Sequence, residues 1–123
     1  GKRLFKGCHN LSVLFHDSES MVKALTRRFD GLPLHEICYY QSYFSTEECM
    51  QKIQEAAESD SRQDCLGMTP LHILAHSKTQ RLELYQVCAE KSPKDLNTKD
   101  KWGSLPIHYA LENNVPLPIA EFL

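Results

Sequence analysis

Three histidines have the spacing that invites a chemical reading. His35, His72 and His108 recur 37 and 36 residues apart, each two residues after a proline (Pro33, Pro70, Pro106). Imidazole is the commonest ligand of zinc and a ready general base near neutral pH. The spacing argues against both uses. Equivalent positions on stacked helices lie about 8–10 Å apart, whereas zinc ligands converge at about 2.0–2.3 Å from one ion. Cys8-His9 and His16-Asp17 are adjacent pairs without further ligands at metal spacing. Glu47, Glu48, Glu55 and Glu58 fall on a stretch that reads as a solvated helix face, and nothing brings a base near a nucleophile. The chain has no phosphate-binding glycine loop, no HExxH and no GxSxG. The expectation is no catalytic residue, no cofactor, no metal and no small-molecule substrate, with the histidines serving structure.

The elements that must hold those histidines are repeated. FDGLPLHEIC from Phe29, LGMTPLHILA from Leu66 and WGSLPIHYAL from Trp102 align without gaps. Gly67 and Gly103 precede their prolines by three residues, where a tight turn needs positive φ. Asp30 takes that place in the first unit, with Gly31 beside it to share the turn. Thr69 is set as an N-cap with Pro70 at the first helical position. Leu32 and Leu105 stand there in the other units, so each forgoes a cap of about 0.5–2 kcal/mol and its helix must be held by packing.

Inner helices are predicted at 33–40, 70–77 and 106–113, the last leaving through Asn113-Asn114. Outer helices follow. Ser45-Thr46-Glu47-Glu48 offers a capping box ahead of Cys49, Ile53, Ala56 and Ala57 at helical spacing. The next outer helix carries Leu84, Val87 and Cys88 on one face, with Pro93 beyond it. Pro116 and Pro118 fit only a first turn, with Ile119, Phe122 and Leu123 beginning the apolar stripe. Toward the N-terminus, Leu11, Leu14 and Phe15 suggest a degenerate inner helix. Asp17 or Ser18 would cap a second helix with Met21, Val22 and Leu25. That region is read as a divergent repeat or an unrelated helical flank.

Composition bounds the function. The 123 residues are 41% hydrophobic and 24% charged, those of an ordinary globular domain. No apolar run is long enough to span a membrane and no segment has a signal-peptide layout. The five cysteines form no Cys-x-x-Cys pair and read as reduced, apolar fillers in a cytoplasmic or nuclear protein. Without secretory cues, Asn10-Leu11-Ser12 is a chance sequon. A net charge of −2 gives no general attraction to nucleic acid. The distribution is polarised: residues 1–28 carry six Lys/Arg against two Asp/Glu, residues 29–64 two against eight, and residues 65–123 six against six. Solvated helix faces account for this, or a polarised binding surface.

These units resemble the ankyrin repeat. DCLGMTPLHILA (64–75) carries the family's Asp-x-x-Gly-x-Thr-Pro-Leu-His signature intact, NTKDKWGSLPIHYA (97–110) has Leu105 for threonine and Ile107 for leucine, and RRFDGLPLHEIC (27–38) departs most, with Arg27, Asp30 and Leu32 for aspartate, glycine and threonine. The spacing exceeds the family's 33 residues, with the extra ones assigned to 40–46 and 76–82. The resemblance implies one all-α domain over 1–123, an ankyrin-repeat solenoid of stacked helix–turn–helix units with β-turn fingers. Its parts are a degenerate repeat or helical flank (1–26), repeats at 27–63 and 64–99, and a truncated repeat at 100–123, as of a longer array cut short. It implies structural histidines, with His35 and His108 relying on backbone partners. Asn97 stands where the family can carry asparagine hydroxylation and is read as an unmodified turn residue.

The resemblance also implies a concave face and fingers that bind a protein partner. Mapped onto this chain, the outward positions are Arg28, Phe29, Tyr39 and Tyr40 in the first unit. The second gives Leu66, Met68 and His76, with Cys65 and Ser77, and the third gives Lys101, Trp102, Glu112 and Asn113, with Ser104. Aromatic residues, Met and Arg are favoured in interfaces. Phe29, Leu66 and Trp102 are equivalent, and either pack finger against finger or touch a partner. The expected function is a protein–protein interaction module, a scaffold that is not an enzyme and has no nucleic-acid or membrane partner. The alternative is an architectural or regulatory segment of a larger protein whose activity lies in a neighbouring domain.

Overall fold

A computed structural model describes residues 11, 14–56 and 62–123, and all regular structure among them is helical. Cys8-His9, the asparagine and serine of the Asn10-Leu11-Ser12 sequon, Ala57 and Glu58 lie outside the described residues. The α-helices are α1 (Ser18–Thr26), α2 (Pro33–Tyr39), α3 (Thr46–Glu55), α4 (Pro70–His76), α5 (Leu82–Lys91), α6 (Pro106–Glu112) and α7 (Leu117–Phe122), with 3-10 turns at Gln41–Tyr43 and Pro93–Asn97.

The helices form two layers. The short helices α2, α4 and α6 pack on one another in sequence, and so do α3, α5 and α7. Each of α2, α4 and α6 also packs on the helix that follows it. Helices this short are unstable alone in water, so burial between neighbours holds them. Leu34, Cys38, Cys49, Ile53, Leu71, Ile73, Leu74, Leu84, Tyr85, Val87, Cys88 and Ile119 form the shared core between the layers. The expected stripe Leu84, Val87 and Cys88 is buried as a set.

Local chemistry sets the helix ends. Ser45 and Glu48 form the reciprocal capping box, Ser45 Oγ accepting from the Glu48 amide and Glu48 accepting from the Ser45 amide, both at 3.1 Å. Hydrogen bonding from the Ser45 amide first, and from its side chain, holds the Glu48 carboxyl below its ordinary range. Thr69 caps α4, and neither Leu32 nor Leu105 makes a side-chain cap. Asn114 leaves α6 at φ 54°, and Pro116 and Pro118 sit at the start of α7. At the other end Asp17, not Ser18, caps α1 by accepting from the Ser20 amide at 2.7 Å.

One expectation is corrected. The positive φ of the first turn belongs to Gly31 (72°) and not to Asp30, because only glycine lacks the Cβ that penalises that region. Helix α1 does carry Met21, Val22 and Leu25; Met21 and Leu25 are half-buried, Val22 is exposed, and none of its residues is fully buried.

Candidate partner-binding surface

The fingers are built by two aspartates. Asp64 Oδ1 accepts from the amides of Leu66 and Met68, both at 2.9 Å, and its backbone pairs with Met68. Asp100 repeats the arrangement with Trp102 and Ser104, again at 2.9 Å each. Gly67 and Gly103, at φ 77° and 82°, close the two turns. The fingers are tied together by the Lys101 amide donating to the Leu66 carbonyl at 3.1 Å. Both aspartates are buried, and their outer oxygens are satisfied differently. Asp64 takes the Arg28 guanidinium at 2.7 Å, while Asp100 accepts from the Tyr109 hydroxyl. Burial and the neighbouring Asp100 carboxylate push that hydroxyl well above its ordinary range.

Two of the three motif histidines, His35 and His72, each reach the segment that precedes the next short helix. His35 Nε2 lies 2.9 Å from the Met68 carbonyl and His72 Nε2 lies 2.8 Å from that of Ser104. Both acceptors precede their unit's proline by two residues. His72 Nδ1 lies 2.9 Å from the Thr69 hydroxyl and accepts from the Thr69 amide at 3.1 Å. Burial holds His72 below its ordinary value and so favours the neutral ring. Exposed His108 accepts from the Leu105 amide at 2.9 Å. The backbone partners expected for His35 and His108 are therefore present.

Of the residues mapped outward, Tyr39 and Tyr40 are exposed, 44% each. Glu112 is exposed, and so is Lys101, whose amide is bound to the other finger. Asn113 is exposed as a residue, but its amide donates to the carbonyls of Ala75 and Ser77 at 2.9 and 3.0 Å, tying α6 to the end of α4. Arg28 is half-buried in its ion pair, and His76 is half-buried with its ring 4.1 Å from that of Tyr109.

Leu66 and Met68 must be withdrawn from the contact set. Both are fully buried, because the Asp64 carboxylate draws their amides into a tight turn that leaves their side chains in the core with Ala75, Tyr109 and Ala110. The row Phe29, Leu66, Trp102 is thus a packing row at its centre: Leu66 is enclosed, and Trp102 packs half-buried on the same cluster.

The first unit instead presents a continuous series of rings. Phe29 and Tyr39 are 5.2 Å apart, Tyr39 and Tyr40 5.0 Å, and Tyr40 and Tyr43 6.3 Å, measured between centroids. Arg28 lies over one end, its guanidinium carbon 4.9 Å from the Phe29 centroid and 6.0 Å from that of Tyr39. Tyr43, 80% exposed, is the residue the motif mapping missed. It lies in the segment between α2 and α3, which the three aligned motifs do not reach; the local cue was the run Tyr39-Tyr40-x-x-Tyr43-Phe44 itself.

No family model, curated protein or solved structure matches this chain. No described helix is long and apolar enough to cross a membrane.

Proposed function

We propose that this chain is an ankyrin-type repeat module that binds a protein partner through the face bearing the ends of the short helices and through its fingers. The repeat reading is supported by the matched fingers at Asp64 and Asp100 and by the matched histidine links to Met68 and Ser104. These are the same physical solution used twice at equivalent positions. The buried thiols fit a reducing, cytoplasmic or nuclear setting.

The observation that carries the binding reading is the exposed tyrosine row Tyr39, Tyr40 and Tyr43. Three neighbouring exposed rings exceed what a solvated surface requires, and tyrosine gives large contact area at low entropic cost. A displayed random-peptide library panned on the chain tests it, with a Tyr40→Ser/Tyr43→Ser variant as the comparison. Enrichment of sequences that bind the native chain and not the folded variant is expected. No enrichment, or equal binding to both, would overturn the reading.

The architectural alternative is favoured by one surface. His108 is exposed and Leu111 is 61% exposed, whereas the equivalent His72 and Ala75 are buried. That face of α6 would serve as a seat for a further unit of the same kind.

A further inference from the structure

The tyrosine row lies in the most acidic part of the chain. Between residues 29 and 56 the charged residues are Asp30, Glu36, Glu47, Glu48 and Glu55 against Lys52, and all six are exposed; from outside that stretch Arg28 reaches the row while paired with Asp64, and Arg81 donates to the Gln41 carbonyl at 3.3 Å. Glu36 lies one helical turn before Tyr39 and Tyr40, on the same side of α2. Glu47 is in the first turn of α3, directly after the segment that carries Tyr43. Glu48 is engaged in its own cap and Glu55 accepts from Gln51, which leaves Asp30, Glu36 and Glu47, the last two being nearest in the chain to Tyr40 and Tyr43. A phosphate-bearing ligand would be repelled here, and a cationic one drawn in.

The fold already uses its rings to hold cations. Arg28 lies over Phe29 and Tyr39, and Lys52 Nζ lies 5.0 Å from the centroid of Phe44. The row continues past Arg28 to Tyr40 and Tyr43, its two outer rings. Their 6.3 Å separation is close to the repeat of an extended chain, in which residues two apart share a face and advance about 6.6 Å. A planar guanidinium stacks on an aromatic face and pairs with a carboxylate at once, which an ammonium does less well.

We propose that Tyr40 and Tyr43, with Glu36 and Glu47, bind an extended partner segment of the form Arg-x-Arg, one guanidinium on each ring. This rests on the protein-binding reading above and names the chemistry of the partner. Arginine alternation matches the ring spacing, and the acidic surroundings match its charge.

Fluorescence anisotropy of the 123-residue chain with a short labelled Gly/Ser peptide containing Arg-Ser-Arg tests the proposal. The arginine peptide is expected to bind about tenfold more tightly than its citrulline counterpart, which keeps the shape and loses the charge. The lysine peptide falls between, and moving the second arginine by one residue, to the opposite face, weakens binding. Tyr43→Leu and Tyr40→Leu abolish the preference for arginine while Tyr→Phe at either position keeps it, because the ring and not the hydroxyl is used. Glu36→Gln/Glu47→Gln lowers affinity and flattens its dependence on salt. Citrulline binding as well as arginine, unchanged binding to Tyr43→Leu with native circular dichroism, or no binding of the arginine peptide at millimolar concentration would each overturn it. If panning instead enriches acidic or uncharged proline-rich peptides that need the tyrosines, the arginine proposal fails and the binding reading survives.

Discussion

His72 bridges two units through both ring nitrogens: Nδ1 accepts from the Thr69 amide at the start of its own helix, and Nε2 donates to the Ser104 carbonyl of the next finger at 2.8 Å. That pattern requires one neutral tautomer. Burial disfavours the charged ring and holds His72 below its ordinary value, and protonating Nδ1 would also cost the hydrogen bond from the Thr69 amide.

A pH dependence follows. With the folded value of His72 below the unfolded value of 6.5, the unfolded chain binds the extra proton first. The contribution of His72 is therefore complete above pH 6.5 and is lost as the pH falls below it, by at most about 1.4 kcal/mol per pH unit. Urea unfolding of the native chain and of His72→Ala should differ by about 2–3 kcal/mol at pH 7.5, since two buried links are lost. The difference should narrow in acid. His108→Ala, at an exposed site, should cost about 0.5 kcal/mol or less. Equal losses at the two positions would contradict the bridging role.

The two buried aspartates look alike from within their fingers and should respond differently to loss of charge. Asp64→Asn keeps the Oδ1 acceptor for Leu66 and Met68 but turns an amide donor toward the Arg28 guanidinium. Asp100→Asn presents the same amide to the Tyr109 hydroxyl, which can rotate and accept. Asp64→Asn is expected to cost about 2 kcal/mol, the scale of a hydrogen bond to a charged group, and Asp100→Asn about 1 kcal/mol or less. Chemical denaturation of the pair decides it, and the reverse order would show that Arg28 contributes little.

Gly67 and Gly103 share a conformation and differ in surroundings. An added Cβ at Gly67 would lie 2.6 Å from the Lys101 amide nitrogen, whereas nothing lies within 4 Å of one at Gly103. Gly103→Ala should therefore cost only the left-handed backbone penalty of about 1–2 kcal/mol. Gly67→Ala adds a clash with the backbone of the next finger, by about 1–3 kcal/mol more. Thermal melts of the two variants should be clearly separated. Coincident melts would mean that the contact between fingers yields freely.

How much of this was legible in the sequence depends on whether a feature is local. Thr69 before Pro70 and Ser45 three residues before Glu48 act within one turn of chain, so spacing alone identifies them. The all-helical character followed from the same signals. Leu66 and Met68 were misjudged because their direction is set by the carboxylate of Asp64 gathering their amides, a geometry that linear spacing does not carry. The Arg28–Asp64 pair spans 36 residues and leaves no mark on either segment alone. Tyr43 was missed for another reason: it lies in the 3-10 turn between α2 and α3, and the aligned motifs say nothing about residues they do not cover.

The missing caps offer a test in the stabilising direction. Leu105 has φ −89° and ψ 160°, nearly those of the capping Thr69 at −96° and 170°. Its amide already donates to His108 Nδ1 at 2.9 Å, as the Thr69 amide does to His72. A threonine hydroxyl at 105 would share the His108 amide, which now donates to the Leu105 carbonyl at 3.0 Å, and Leu105 is only half-buried, so little packing is lost. Leu105→Thr should therefore stabilise the chain by about 0.5–1 kcal/mol. Leu32 is different. It is 5% exposed and has φ −125° and ψ 71°, away from capping geometry. Leu32→Thr removes buried apolar surface without gaining the hydrogen bond, and should destabilise by about 1–3 kcal/mol. Urea midpoints moving in opposite directions would establish that Leu32 is held by the core and that Leu105 occupies an unused capping site. A shared direction would refute that distinction.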